Sequence, residues 1–147
     1  MDRIEGVNIL PLKQIKDKRG AVYHVLKNTD KHFNKFGEIY ISKINPGITK
    51  AWKCHKEMTQ NFSVPTGKLK LVIYDPRKDS NTFGIVNEIL LDPFDNYKLV
   101  VVPPNVWYGF KCLGDNHCLL LNVADLKHDP LESISIKLNN NIIPYKF

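Results

Sequence analysis

The chain has 147 residues, 43% hydrophobic and 24% charged, with 21 Lys+Arg against 15 Asp+Glu and a formal net charge of +6. That is the length of one ordinary domain, and the balance of apolar and charged residues excludes general disorder. There is no run of 18 apolar residues, which excludes a helical membrane span, and the opening Met1-Asp2-Arg3-Ile4-Glu5 lacks the apolar core of a signal peptide. Three cysteines, Cys54, Cys112 and Cys118, form no CxxC pair. An odd count without a secretory signal reads as reduced thiols, so a cytoplasmic protein is expected.

In chain order, Thr29 to Phe36 is the best helical candidate, and it is short. Ile39 to Ile44, rich in β-branched and aromatic residues, reads as a strand broken by Asn45-Pro46-Gly47. Lys50 to Val64 follows, closed by Pro65-Thr66-Gly67, and Lys68 to Tyr74 is the next strand, closed by Asp75-Pro76. Further runs are Phe83 to Leu91, Tyr97 to Val102 and Cys118 to Val123. Val102-Pro103-Pro104-Asn105 makes a second Pro turn, entering the strand Val106 to Phe110. Short strands with this regular punctuation predict an all-β sandwich or barrel, and the pair of Pro/Gly turns is what a small jelly-roll β-barrel needs, a single domain over residues 1–147.

Two strands carry the chemistry. In Ala51-Trp52-Lys53-Cys54-His55-Lys56-Glu57, strict alternation puts Lys53, His55 and Glu57 on one face and Trp52, Cys54 and Lys56 on the other. A strand-mounted His suits general acid–base work, because its reference pKa lies near neutrality. The competing reading is a His that only packs and hydrogen-bonds. In Val106-Trp107-Tyr108-Gly109-Phe110, Tyr108 is a candidate proton carrier, against a rim Tyr with a solvated hydroxyl. A metal site would need converging imidazoles and carboxylates, whereas His24, His32, His117 and His128 are scattered; no metal and no cofactor are expected. GxSxG, GxxxxGK[ST], GxGxxG and HExxH are absent. The thiols read as buried and structural, Cys54 pointing away from Lys53 and His55.

Together these residues resemble the dTDP-4-dehydrorhamnose 3,5-epimerase family, which belongs to the cupin-type jelly rolls. Asp17-Lys18-Arg19-Gly20 is similar to the family's D-x-R-G, and His55 falls where the family places its catalytic base. Asp75 to Gly84 is similar to D-x-R-x-x-S-x-T-[FY]-G, the most specific segment. Pro103 to Phe110 resembles P-x-G-x-x-H-G-F, Asp129-Pro130-Leu131-Glu132 resembles P-x-x-E, and Ile143-Pro144-Tyr145 is similar to a common ending.

The resemblance implies metal-free epimerisation of a nucleotide-linked 4-keto-6-deoxy sugar. The keto group acidifies C3 and C5, a base forms the enolate, and an acid returns the proton to the other face. It implies His55 as base and a donor or cation at the enolate oxygen, for which Lys53 is available. The chain departs from the family at several positions. Tyr108 stands where the family has His, His128 where it has its catalytic Tyr, and Gln60 where it has an active-site Lys. The carboxylate that orients the base is expected from the C-terminal region, which here reads Asn139-Asn140-Asn141. Arg19 matches a nucleotide contact supplied across a homodimer, next to Val22 and His24 where the family has an aromatic and a Glu. Lys50 and Lys53 replace the family's phosphate-binding Arg. Asn122 completes the substrate-binding candidates.

Three functions are weighed. The first is a sugar-nucleotide epimerase. A 3,4-ketoisomerase is its close alternative, because Lys53 to Gln60 keeps the second His, the Lys and the Gln of H-x-H-K-x-x-x-Q. The second is a sugar-nucleotide binding module without catalysis. The third is a nucleic-acid-binding barrel, disfavoured because the basic residues are dispersed. The expected partners are a nucleotide-diphosphate sugar and a second copy of the chain, with no nucleic acid and no membrane.

Overall fold

The computed structural model describes residues 2–147. Among these, twelve strands follow in order: β1 (Asn8–Pro11), β2 (Gln14–Asp17), β3 (Gly20–Tyr23), β4 (Glu38–Ile44), β5 (Thr49–His55), β6 (Gln60–Thr66), β7 (Lys68–Tyr74), β8 (Val86–Leu91), β9 (Lys98–Val102), β10 (Trp107–Leu113), β11 (Cys118–Ala124) and β12 (Ser133–Ser135). One five-stranded sheet has the order β1-β9-β6-β11-β4 and the other β12-β5-β10-β7-β8, while β2 and β3 form a separate hairpin. From β4 to β7, and again from β9 to β12, successive strands alternate between the two sheets, which is jelly-roll connectivity. Among the described residues no strand ladder joins the two sheets, so the barrel stays open along its seams.

The core lies between them. One sheet contributes Ile44, Phe62, Val64, Val100, Val102 and Leu120, and the other Leu69, Leu71, Ile73, Ile89, Leu91 and Phe110. These are alternate residues of each strand, as the pleat requires.

The segment Thr29 to Phe36 is not helical. Its backbone makes two successive turns, Asp30 N–H to Lys27 O (3.1 Å) and Phe33 N–H to Asp30 O (3.0 Å). The Asp30 carboxylate takes the Lys27 N–H at 2.8 Å, holding the turn, and eight residues are too few to propagate a helix without packing support. The run Lys50 to Val64 divides into β5 and β6. The amides of Glu57, Met58 and Thr59 bond to the carboxylates of Glu132 (2.9 and 2.8 Å) and Asp125 (2.8 Å) rather than to a neighbouring strand.

The segment Asp75 to Gly84 is a structural knot. Asp75, fully buried, accepts from Arg77 N (3.0 Å), Nε (2.8 Å) and Nη2 (2.8 Å), and from the Ser80 and Thr82 hydroxyls (2.7 Å each). Arg77 Nη2 also donates to Glu5 O (2.6 Å), so the turn between β7 and β8 fastens the N-terminal segment. The specificity of this motif is therefore that of a charge-centred turn, none of whose residues lines the cavity described next.

Candidate active site

The cavity lies between the sheets and has a volume of about 350 Å³, within the usual range for small-ligand sites. Inward residues at one end of the strands are polar. Tyr40 and Ser42 come from β4, Gln60 from β6 and Asn122 from β11, whereas Leu120, Val64 and Ile44 continue the same faces as core. Asn122 pairs with Tyr40 in the ladder, and its amide donates to the Tyr40 hydroxyl (3.0 Å) and to Gln60 Oε1 (3.2 Å). Burial raises the pKa of Tyr40, so its phenol is protonated at neutral pH.

The opposite wall comes from β5 and β10. Tyr108 pairs with Lys53, but Gly109 pairs with Ala51, so Trp52 is an extra residue, a β-bulge. Strict alternation would turn Lys50 away from Lys53. The bulge brings both to the cavity, and neither is ion-paired among the described residues. It also explains Gly109, since a Cβ there would lie 2.5 Å from Ala51 Cβ. Gly109→Ala is expected to push β5 from β10, lowering the Tm by about 5–10 °C and turnover more than tenfold. Thermal unfolding and an assay check this, and wild-type values in both would mean that the strands absorb the methyl without loss.

His55 ends β5 and is buried. Its Nδ1 lies 2.5 Å from Glu132 Oε1, and its Nε2 lies 3.2 Å from the Tyr108 hydroxyl. Glu132 Oε2 takes the Glu57 and Met58 amides. Burial disfavours the Glu132 carboxylate, but the bonds from His55 and the two amides outweigh it and hold its pKa below the ordinary value. An ionised Glu132 requires the Nδ1–H tautomer of His55, leaving Nε2 as an acceptor to which Tyr108 donates. Burial pushes the Tyr108 phenol well above its usual pKa, with Tyr40 nearby adding to the shift. The second Pro turn fixes this alignment: Asn105, at φ 65°, occupies the glycine position of P-x-G and donates its N–H to His55 O (2.7 Å).

The sequence candidates separate as follows. Lys50, Lys53, Gln60, Tyr108 and Asn122 line the cavity, with His55 directly behind Tyr108. His128 is exposed, its backbone N–H bonded to Glu38, and it does not line the cavity. Arg19 is exposed at the β2–β3 turn, paired with Asp17 at 2.7 Å, and His24 is exposed beyond β3. Glu57 lies past the end of β5, is exposed, and contributes its amide rather than its carboxylate. The orienting carboxylate is Glu132 of the P-x-x-E segment, not a residue of the Asn139 to Asn141 region. Tyr40 is a site residue that the sequence did not reveal, since its strand reads as core. Cys54 faces the second hydrophobic cluster with Trp52, and burial raises its thiol pKa to about 11. Among the described residues, no group of three His, Cys, Asp or Glu side chains is placed to hold a metal.

A jelly roll whose cavity meets a Glu–His–Tyr chain on one side and two lysines, unpaired among the described residues, is suited to proton transfer on an anionic ligand. Comparison with known proteins agrees. The family model described as dTDP-4-dehydrorhamnose 3,5-epimerase matches residues 2–146. A probable low-salt glycan biosynthesis epimerase of Haloferax volcanii is 31% identical over 131 residues, covering 88% of this chain and 83% of that protein. The spore coat polysaccharide biosynthesis protein SpsL of Bacillus subtilis is 28% identical over 127 residues, covering 86% and 83%. A solved dTDP sugar isomerase from Desulfovibrio desulfuricans is 40% identical with a TM-score of 0.95, covering 97% of this chain and 91% of that one. The chain belongs to the dTDP-4-dehydrorhamnose 3,5-epimerase family.

Proposed function

We propose that the chain, acting as one jelly-roll unit over residues 1–147, epimerises a nucleotide-linked 4-keto-6-deoxy sugar in the cytoplasm. The observation that carries this reading is the chain Glu132–His55–Tyr108 ending at the cavity. His55 Nε2 is the base. Tyr108, too weak an acid to ionise alone, takes the C–H proton on its oxygen as its own proton passes to Nε2. The 4-keto oxygen, becoming an enolate, is held by Lys53. Tyr40, on the facing sheet and hydrogen-bonded by Asn122, returns a proton to the other side of the sugar. Lys50 attracts the diphosphate. In a homodimer, Arg19 of the exposed hairpin would reach the nucleotide of the partner's site.

The test is incubation with a nucleotide 4-keto-6-deoxyhexose in D2O, followed by NMR. Deuterium at C3, at C5 or at both fixes the epimerised carbon. A carbonyl moved to C3 would replace epimerisation with the 3,4-keto shift, which the cavity position of Gln60 favours as second reading. Two substitutions divide the roles. Tyr108→Phe is expected to lower exchange about 10²-fold or more. Tyr40→Phe should leave exchange within about tenfold yet suppress formation of the epimer, because the donor on the second face is gone. Equal loss of both signals in Tyr40→Phe would place Tyr40 on the base side instead.

A further inference from the structure

The extra residue of β5, Trp52, borders the cavity, and its side chain is almost fully buried (1% exposed) in the second hydrophobic cluster, against the C-terminal segment. Its ring lies 6.1 Å from Tyr145, edge-on, and 5.3 Å from Phe147. Its indole N–H donates to Leu138 O (3.3 Å), and its backbone N–H and C=O both bond to Ile136 (3.1 Å each). The segment is anchored in turn. Ile143 is buried, the Tyr145 hydroxyl donates to Glu88, and Lys70 Nζ lies 5.6 Å from the centroids of both the Tyr145 and Phe147 rings.

We infer that this C-terminal clamp is a positioning device for substrate affinity. By holding the indole on the outer face, it fixes the bulge at Trp52, and the bulge is what turns Lys50 and Lys53 into one cavity. The site thereby gains Lys50 on the same side of the strand as Lys53, two cations without an ion pair among the described residues, a spacing that regular alternation forbids. Lys53, in register with Tyr108, stays at the keto oxygen, and the cation that the bulge adds, Lys50, suits a diphosphate. His55 and Glu132 do not depend on the clamp: the Tyr108–Lys53 register lies on the near side of the bulge, and Glu132 is fastened by the amides of Glu57 and Met58. The clamp should thus govern binding of the anion and leave the proton-transfer step alone. This inference rests on the sugar-nucleotide reading of the site.

Calorimetric titration with thymidine diphosphate tests it, alongside exchange kinetics in D2O. Phe147→Ala is expected to raise the Kd about tenfold, the effect of one lost charge-assisted contact, and to flatten its salt dependence. KM should rise in parallel, with kcat within about twofold. Phe147→Tyr, which keeps a ring against Trp52, should restore the wild-type Kd. If Phe147→Ala disrupts folding, Trp52→Phe, which removes the Leu138 bond but keeps an aromatic ring, should give the same change in smaller measure. A lowered Tm with unchanged Kd in these variants would overturn the inference, as would equal loss of kcat. If Lys50→Ala binds thymidine diphosphate as well as the wild type does, the diphosphate assignment itself fails, a result separate from that of the clamp variants.

Discussion

Glu132→Gln is expected to lower turnover about 10³-fold or more, with KM little changed and the fold retained. The carboxylate does two jobs, one for each oxygen: Oε1 faces His55 Nδ1 and Oε2 receives two backbone amides. In the amide variant the carbonyl oxygen satisfies the Glu57 and Met58 N–H groups, because the alternative sets donor against donor. The NH2 then points at Nδ1 and donates to it. That forces the imidazole proton onto Nε2, where it meets the Tyr108 hydroxyl, and Nε2 can no longer accept. Enforcing the wrong tautomer without moving the ring costs about 10⁴ in a comparable oriented-histidine site. Steady-state kinetics and thermal unfolding check this together. Turnover within tenfold of wild type would show that the His55 tautomer is not set by Glu132.

Asp75→Asn should be the most damaging substitution for stability, at about 3 kcal/mol, equivalent to about 10 °C in Tm for a chain of this size. The side chain is fully buried and takes five bonds, three from Arg77 and two from hydroxyls. Losing its charge strands the Arg77 guanidinium and presents an NH2 to groups that are themselves donors. Burial alone would raise its pKa, but the bonds from Arg77, Thr82 and Ser80 outweigh that and hold the carboxyl far below the ordinary range. The unfolded chain therefore binds more protons than the folded one, and stability rises with pH through this window. The contribution of Asp75 is fully present above about pH 4, the unfolded value, and is lost as pH falls toward the folded value. Chemical denaturation from pH 7 down to pH 2 should show a steep decline in wild type and a shallower one in Asp75→Asn. Parallel curves would mean that Asp75 is not ionised in the native protein.

The fold was largely legible because the long strands carry alternation and end in residues that break them: Lys68–Tyr74 stops at Asp75-Pro76, and Pro103-Pro104-Asn105 delivers β10 to the end of β5. The strands β1, β2, β3 and β12, of three or four residues each, are too short for periodicity to register. In the site, His55 and Tyr108 stood out as acid–base residues on strands. What sequence could not supply was long-range or irregular. Glu132 lies 77 positions from His55, and its partnership depends on the chain turning back to the end of β5. The bulge at Trp52 breaks the alternation that would otherwise assign faces, so Lys50 and Lys53 could be named together but not oriented together. Tyr40 sits in a β-branched and aromatic strand whose inward face is core at one end and cavity at the other. The Asp75 segment shows the converse. The most recognisable motif serves a turn rather than the chemistry.

The central claim is that His55, held by Glu132, drives removal of a proton from a carbon next to the sugar's keto group, accepting the Tyr108 proton as the Tyr108 oxygen takes the one on carbon. Its most direct measurement is the rate of deuterium entry at C3 and C5 of a nucleotide-linked 4-keto-6-deoxyhexose in D2O, compared between wild type and His55→Ala. The account predicts exchange in the wild-type protein and at least a 10³-fold loss in the variant, with thymidine diphosphate still bound. Tight binding of the sugar nucleotide with no exchange in wild type, or exchange unaffected by His55→Ala, would contradict it.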